Sequence, residues 1–229
     1  MDNLSPSKYF PPAELADSDG LVAFGGLLEP DWLLDAYQHG IFPWPISDEQ
    51  GDMLAWWSPD PRAIIELDEF YVSRRLLRTC RSGRFQVTCN QDFPAVLRGC
   101  ATAQDRTDQT WLLPEMIRAY GRMHELKYAH SVEVWQDDVL VGGTYGVGLG
   151  ALFAAESKFF LQRDASKVAL VFLVEHLRRR GYQLLDIQQM TEHMERFAAI
   201  EIPRDQYLAR VARAVAADVR FGEALEGEV

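Results

Sequence analysis

The segment SKVALVFLVEHLRRRGYQLLDIQQ, Ser166–Gln189, decides how this chain folds. Its first part is apolar around most of its circumference, opens on a serine suited to cap a helix, and closes on three arginines and Gly181. That is the signature of a buried helix with a glycine stop. After the glycine the pattern shortens to YQLLDIQQ, a buried strand. A period of two sets Asp186 and Gln188 on one face of it and Leu185 and Ile187 on the other. A carboxylate and an amide adjacent on one face of an apolar run mark a solvent edge or a site. A buried carboxylate without partners costs several kcal/mol or so, which favours the site.

Upstream, from His130, the period is also two: HSVEVW, a QDD turn, VLVGGTYGV, a glycine turn, then ALFAAES. This reads as an antiparallel meander, and Glu156 is a second polar break at the end of an apolar strand. Meander, helix, strand is the order of an α/β (α+β) fold of the N-acetyltransferase (GNAT) type, with a mixed, largely antiparallel sheet that splays to admit an acyl donor. Such folds hold cofactor pyrophosphate on a glycine-rich turn at a helix start. The corresponding turn here, LQRDASK, has no glycine, which counts against acetyl-CoA as donor.

Further upstream lie a helix from about Pro114, a polar loop reaching Trp111, a short helix from Phe93 to Gly99, and the strand FQVTCN. Residues 1–61 form a small Trp-, Pro- and Gly-rich domain with one helix, about Asp31 to His39, between Pro30 and Gly40. Trp44 and the Trp56–Trp57 pair fall in Pro-rich loops, where aromatic rings are either core or cleft lining. Residues 62–229 form the larger domain. An amphipathic helix, about Arg204 to Ala217, precedes an acidic tail expected to be loose.

With 48% hydrophobic and 25% charged residues over 229, the composition is that of a globular protein. No apolar run approaches the roughly 18 to 20 residues that span a bilayer. The start, MDNLSPSKYFPP, has neither the basic end nor the apolar core of an export signal, so the cytoplasm is the expected compartment. Three cysteines without a CxxC pair and five histidines without HxxxH spacing give no disulfide framework and no metal site. There is no GxSxG elbow, no P-loop and no evident Ser-His-Asp set. The net charge of −11 argues against nucleic acid as a partner. Its distribution argues the other way: SRRLLRTCRSGR, Ser73–Arg84, carries Arg74, Arg75, Arg78, Arg81 and Arg84 without an acid. On a helix Arg74, Arg78 and Arg81 share a face, which is either a solvated surface or a phosphate-binding patch.

Read in order, DGLVAFGG, LLDAYQHGIFPW, WWSPDPRAII, TWL, AYGRMHELKYAHSVEVW, LVGGTYGV, ASKVAL, LLDIQ and EIPR resemble the bacterial leucyl/phenylalanyl-tRNA–protein transferases from about Gly20 to Tyr207. The resemblance implies a cytoplasmic, monomeric aminoacyltransferase without cofactor, built as a small N-terminal domain and an acetyltransferase-like domain. It would move Leu or Phe, with Met as a further candidate, from Leu-tRNA or Phe-tRNA to proteins beginning with Arg or Lys, marking them for degradation. It assigns catalysis to Asp186 and Gln188, with Glu156 supporting amino groups in the site. Trp44 and Trp111 would flank the terminal adenosine, and Thr144, Phe153, Leu170 and Leu173 would line the donor side-chain pocket. The five arginines would hold the tRNA body. The chain departs from the family at Thr144 and Lys158, where Met is usual, and in HMERFAA, with Arg196 for Ser and Ala198 for Gly; donor preference is therefore open. Two other classes stand beside this one, an acyl-CoA-dependent N-acyltransferase and a tRNA-binding relative without catalysis.

Overall fold

A computed structural model describes residues 5–48, 51–102 and 112–226. In chain order the elements are β1 (Leu21–Phe24), α1 (Pro30–Gln38), β2 (Phe42–Pro43), β3 (Ile46–Asp48), β4 (Gly51–Met53), β5 (Ala55–Trp57), β6 (Arg62–Ile65), α2 (Arg74–Cys80), β7 (Gln86–Cys89), α3 (Phe93–Thr102) and α4 (Pro114–Glu125). There follow β8 (Ala129–Gln136), β9 (Val139–Leu149), β10 (Leu152–Phe160), α5 (Ala165–Arg180), β11 (Leu184–Gln188), α6 (Glu192–Glu195), β12 (Ile200–Ile202) and α7 (Arg204–Val215). The expected meander is β8–β9–β10, and it joins a seven-stranded sheet of order β12-β6-β11-β10-β9-β8-β7. Only the β10–β11 pair is parallel among its described ladders. The sheet is therefore mixed and largely antiparallel, as an acetyltransferase-like α/β fold requires.

The β10–β11 ladder runs only from Leu152↔Leu184 to Ala154↔Asp186. Beyond it β10 continues to Phe160 while β11 ends at Gln188, so the sheet splays at the two polar breaks of the sequence. Each break is also a bulge. The β9 register slips between Ala155 and Ser157, around Glu156, and the β6 register slips between Asp186 and Gln188. Gln188 itself is left-handed, at φ 65°. Bulges re-aim single side chains without turning the whole strand over.

Each face of the sheet has its own core. One gathers α1, α3, α4, α7 and the start of the chain; the other gathers α5 with Leu67, Phe70, Leu76 and Phe85. The helix α5 lies close over β9, where a Cβ on Gly142 would come within 2.6 Å of the Ala165 Cβ. Arg62, the first residue of β6, sits inside the large sheet between β11 and β12. Ahead of it β1, β5 and β2 make a small three-stranded sheet, and β3 pairs with β4.

Three expectations are corrected. The residue flanking α5 is Asp164, left-handed at φ 72°, and Ser166 lies buried inside the first turn. Trp56 and Trp57 belong to strand β5 rather than to a loop, and Trp56 is wholly buried against Phe10. The segment after α7 is held, not loose. Phe221 is buried against His130, His176 and Phe153, its carbonyl is 2.8 Å from His176 Nε2, and the Glu226 N–H donates to His176 Nδ1 at 2.9 Å. Arg180 adds bonds to the Arg220 carbonyl and the Glu226 carboxylate.

Accepting from Glu226 requires a neutral His176, and burial lowers its pKa; burial likewise brings His130 down to about 3. An exposed histidine titrates near 6.5, so below that pH the unfolded chain binds protons that the fold refuses. The stabilisation is complete above pH 6.5 and is lost as the pH falls toward the folded value. Relative to a His130→Leu chain, the parent should lose about 2 kcal/mol between pH 7 and pH 5. Urea unfolding at the two pH values measures this, and a pH-independent difference would refute it.

Candidate active site

Asp186 is 1% exposed, and its carboxylate is filled from all sides. Arg62 binds it in a fork, Nε to Oδ1 at 2.9 Å and Nη2 to Oδ2 at 2.7 Å. The Tyr207 hydroxyl donates to Oδ2 at 2.8 Å, and the Gln188 backbone N–H donates to Oδ1 at 2.8 Å. Arg62 is as buried as its partner, spends Nη1 on the Gly40 carbonyl at 3.2 Å, and lies between the rings of Phe42 and Tyr207. Gly40 is left-handed at φ 72°, and a Cβ there would come within 2.5 Å of Leu208. A buried bidentate pair with its remaining hydrogen bonds made is the condition under which two charges can leave water.

With its acceptor positions used, Asp186 faces no solvent and holds the backbone at Gln188. The Gln188 side chain turns toward β10, where Nε2 donates to Glu156 Oε1 at 2.7 Å. The other Glu156 oxygen accepts from the Tyr120 hydroxyl at 2.8 Å, and Tyr120 meets Tyr37 at 2.7 Å. Burial is the main reason that Glu156 titrates upward, at about 7; the hydroxyls of Tyr120 and Tyr37 oppose it. Burial also keeps Tyr37, Tyr120, Tyr145 and Tyr207 neutral, far above the ordinary phenol value. Because a carboxylate occupies the amide nitrogen, the Gln188 amide oxygen is the end left to accept from a ligand.

Asp186, Gln188 and Glu156, chosen from the sequence, are thus gathered on one face of the sheet. Thr144, Phe153, Leu170 and Leu173 are buried on the opposite, α5-covered side, with Thr144 donating to the Ser157 carbonyl at 2.9 Å. Trp44 is 41% exposed at the end of β2, and Trp111 lies outside the described residues. Arg74, Arg75, Arg78, Arg81 and Arg84 are all exposed on α2 and the turn after it, with Arg75 paired to Asp164 at 3.1 Å. Sequence reading missed Arg62, Tyr207, Tyr120 and Tyr37. The available signal was Arg62 opening an apolar strand in PRAII; the tyrosines read as ordinary core. The segments WWSPDPRAII and EIPR also meet, through Arg62↔Ile202 pairing and the Arg204 bond to the Ser58 carbonyl at 2.7 Å. Cavities of about 460 and 790 Å³ open elsewhere, the first under Phe221 and Glu223 and the second between Phe10 and α7, and none of the three polar residues lines either.

The family model described as leucyl/phenylalanyl-tRNA protein transferase matches residues 64–212, and the model of that family's N-terminal domain matches residues 26–60. A leucyl/phenylalanyl-tRNA–protein transferase of Anaeromyxobacter sp. (strain Fw109-5) is 50% identical over 207 residues, 90% of this chain and 87% of its own length. Another, of Syntrophobacter fumaroxidans (strain DSM 10017 / MPOB), is 47% identical over 226 residues, 98% of this chain and 95% of its own. Among solved structures, a GCN5-related N-acetyltransferase from Kribbella flavida matches at 12% identity and a TM-score of 0.41, over 76% of this chain and 61% of that one.

Breaking a buried ion pair from one side leaves the other charge uncompensated, at a cost of roughly 3–5 kcal/mol. Arg62→Met should destabilise the chain by about that much, read from urea unfolding at neutral pH. A loss below about 1 kcal/mol, the range of exposed pairs, would mean that the Arg62–Asp186 contact does not organise the site.

Proposed function

The chain belongs to the leucyl/phenylalanyl-tRNA–protein transferase family, and from that premise we propose how its buried polar cluster serves the reaction. The protein is an aminoacyltransferase, carrying an amino acid from aminoacyl-tRNA to the N-terminus of an acceptor protein. The α-amino nitrogen attacks the ester carbonyl carbon, an amide bond forms, and the bond to the tRNA 3′-oxygen breaks. The amine proton ends on that oxygen, delivered by water or by the neighbouring 2′-hydroxyl.

The chemistry asks little of a base. An α-amino group with a pKa near 7.7 to 8.0 is already about a tenth neutral at pH 7, so complete deprotonation is worth only about 1.4 kcal/mol. Orienting amine and ester can supply roughly 7 kcal/mol or more. Gln188 is the orienting group in this reading, its amide oxygen accepting from the attacking amine. The single observation that carries it is the 2.7 Å bond from Gln188 Nε2 to Glu156, which engages the nitrogen end of the amide and leaves its oxygen to accept. Asp186 acts one step behind, by fixing the backbone and the bulge at Gln188. The remaining assignments complete the proposal: Leu or Phe as donor, acceptors beginning with Arg or Lys, Trp44 and Trp111 at the terminal adenosine, Thr144, Phe153, Leu170 and Leu173 at the donor side chain, and the five arginines on the tRNA body. A monomer working in the cytoplasm belongs to the same reading.

Gln188→Ala should lower kcat by about 10²-fold or more, the scale of a misplaced reacting group, with the KM for Leu-tRNA little changed. Assay with labelled Leu-tRNA and a peptide beginning with Arg reads both constants, and unchanged kcat would end the assignment. Glu156 holds the amide by a charge-assisted hydrogen bond when ionised, and burial raises its pKa to about 7. Its stabilising hold is therefore present above that pH and lost below it. On the acid side, log(kcat/KM) should fall with a slope of about two, one proton for the amine and one for Glu156, and Glu156→Gln should reduce it to about one. An identical slope in the two proteins would remove Glu156 from this role.

A further inference from the structure

The start of α5 brings an acid to the arginine-rich helix. Ser73–Arg84 has none of its own, and the one that meets it, Asp164, lies 89 positions from Arg75. Asp164 flanks α5 in a left-handed conformation, at φ 72°, which few residues other than glycine adopt. An aspartate ahead of a helix ordinarily accepts from the backbone N–H groups of the first turn. This one makes no such bond. Its carboxylate turns to cations instead: Arg75 Nη2 meets Oδ2 at 3.1 Å, Lys167 Nζ meets Oδ1 at 3.1 Å, and Arg163 Nε approaches Oδ2 at 3.9 Å.

The carboxylate is 9% exposed beneath these groups, while Arg75 and Arg163 stand largely in solvent. Docking of the two helices has its own cause, since Leu76 of α2 shares a core with Ala165 and Val168 of α5. Exposed ion pairs add little to that. Three cations around one carboxylate are also what a phosphate group would find. A phosphodiester has the same single charge and the same pair of free oxygens, and arginine binds either.

We propose that Asp164 is an internal competitor for phosphate, occupying Arg75, Lys167 and Arg163 until a phosphodiester of the donor tRNA displaces it. The inference rests on the aminoacyl-tRNA reading above. A lone small phosphate exchanges one anion for another and gains little. A tRNA body engages Arg74, Arg78, Arg81 and Arg84 at the same time, so its displacement of Asp164 is carried by the contacts around it. Asp164 thereby weakens donor binding and makes it depend on an extended polyanion.

The test compares the full chain with Asp164→Asn, because asparagine keeps the left-handed backbone and loses the charge. The KM for Leu-tRNA should fall several-fold at low salt with kcat unchanged, and log KM should depend on log salt more steeply by about 0.7 to 0.9 for each further phosphate neutralised. The KM for leucyl-adenosine, which has no phosphate, should not move. Asp164→Gly should repeat the result, and in a chain carrying Arg75→Gln and Lys167→Gln the effect of Asp164→Asn should vanish. Asp218→Asn, which removes an exposed carboxylate beyond α7, should leave the KM as it is. An unchanged or raised KM in both Asp164 variants would overturn the proposal, as would an effect that persists without Arg75 and Lys167. An equal fall in Asp218→Asn would overturn it too, reducing the effect to net charge. Failure of the unaltered chain to transfer from Leu-tRNA or Phe-tRNA would instead overturn the transferase reading, and the proposal with it.

Discussion

The Arg62–Asp186 pair is the constraint on which the rest of the site depends. Two charges at 1% exposure are tolerable only because every donor and acceptor around them is matched. The matching draws on distant parts of the chain: the Gly40 carbonyl after α1, Arg62 at the start of β6, Asp186 in β11 and Tyr207 in α7. One ion pair thus fastens the N-terminal segment and the last helix to the middle of the sheet. It also fixes a backbone N–H, that of Gln188, and through it the bulge that aims the amide.

From that anchor the polar groups differ in how far their hydrogen-bonding capacity is already used. Asp186 is saturated and inward. Glu156 is buried with a raised pKa and shares its oxygens between Tyr120 and Gln188. Gln188 alone retains an acceptor for an incoming group. The arrangement suits aminolysis of an activated ester, in which holding two reactants in line outweighs removing a proton that about a tenth of the amine already lacks at pH 7. It also explains why neither open cavity holds the polar cluster: the cluster lies at a break in the sheet, where two bulges face each other across parting strands.

Much of this was legible in the residues. The apolar helix, its glycine stop and the strand after it have strong periodicities, so their type and order follow from local physics. The alternation within LLDIQ put Asp186 and Gln188 on one face, and Leu185 and Ile187 indeed join the opposite core. The end of the chain was illegible for a different reason. An acidic, irregular segment gives no periodic signal, yet Phe221 finds a slot between two histidines and Phe153 that only the packed sheet and α5 create. Ser166 misled because a serine is a common cap; the turn instead starts two residues earlier at a left-handed Asp164.

The sequence by itself determined the mixed α/β class, the chain order of meander, helix and strand, the polar pair in β11, and, through its motifs, the transferase family. These are properties of short windows, where side-chain period and turn chemistry act within a few residues. Only the tertiary structure decided that Asp186 is answered by an arginine 124 positions away, that Glu156 and Gln188 share a hydrogen bond across a splay, and that buried tyrosines complete the set. Such partners are selected by desolvation: a charge or amide taken out of water must be met by whatever side chain the fold brings to it. No local pattern records which residue that will be.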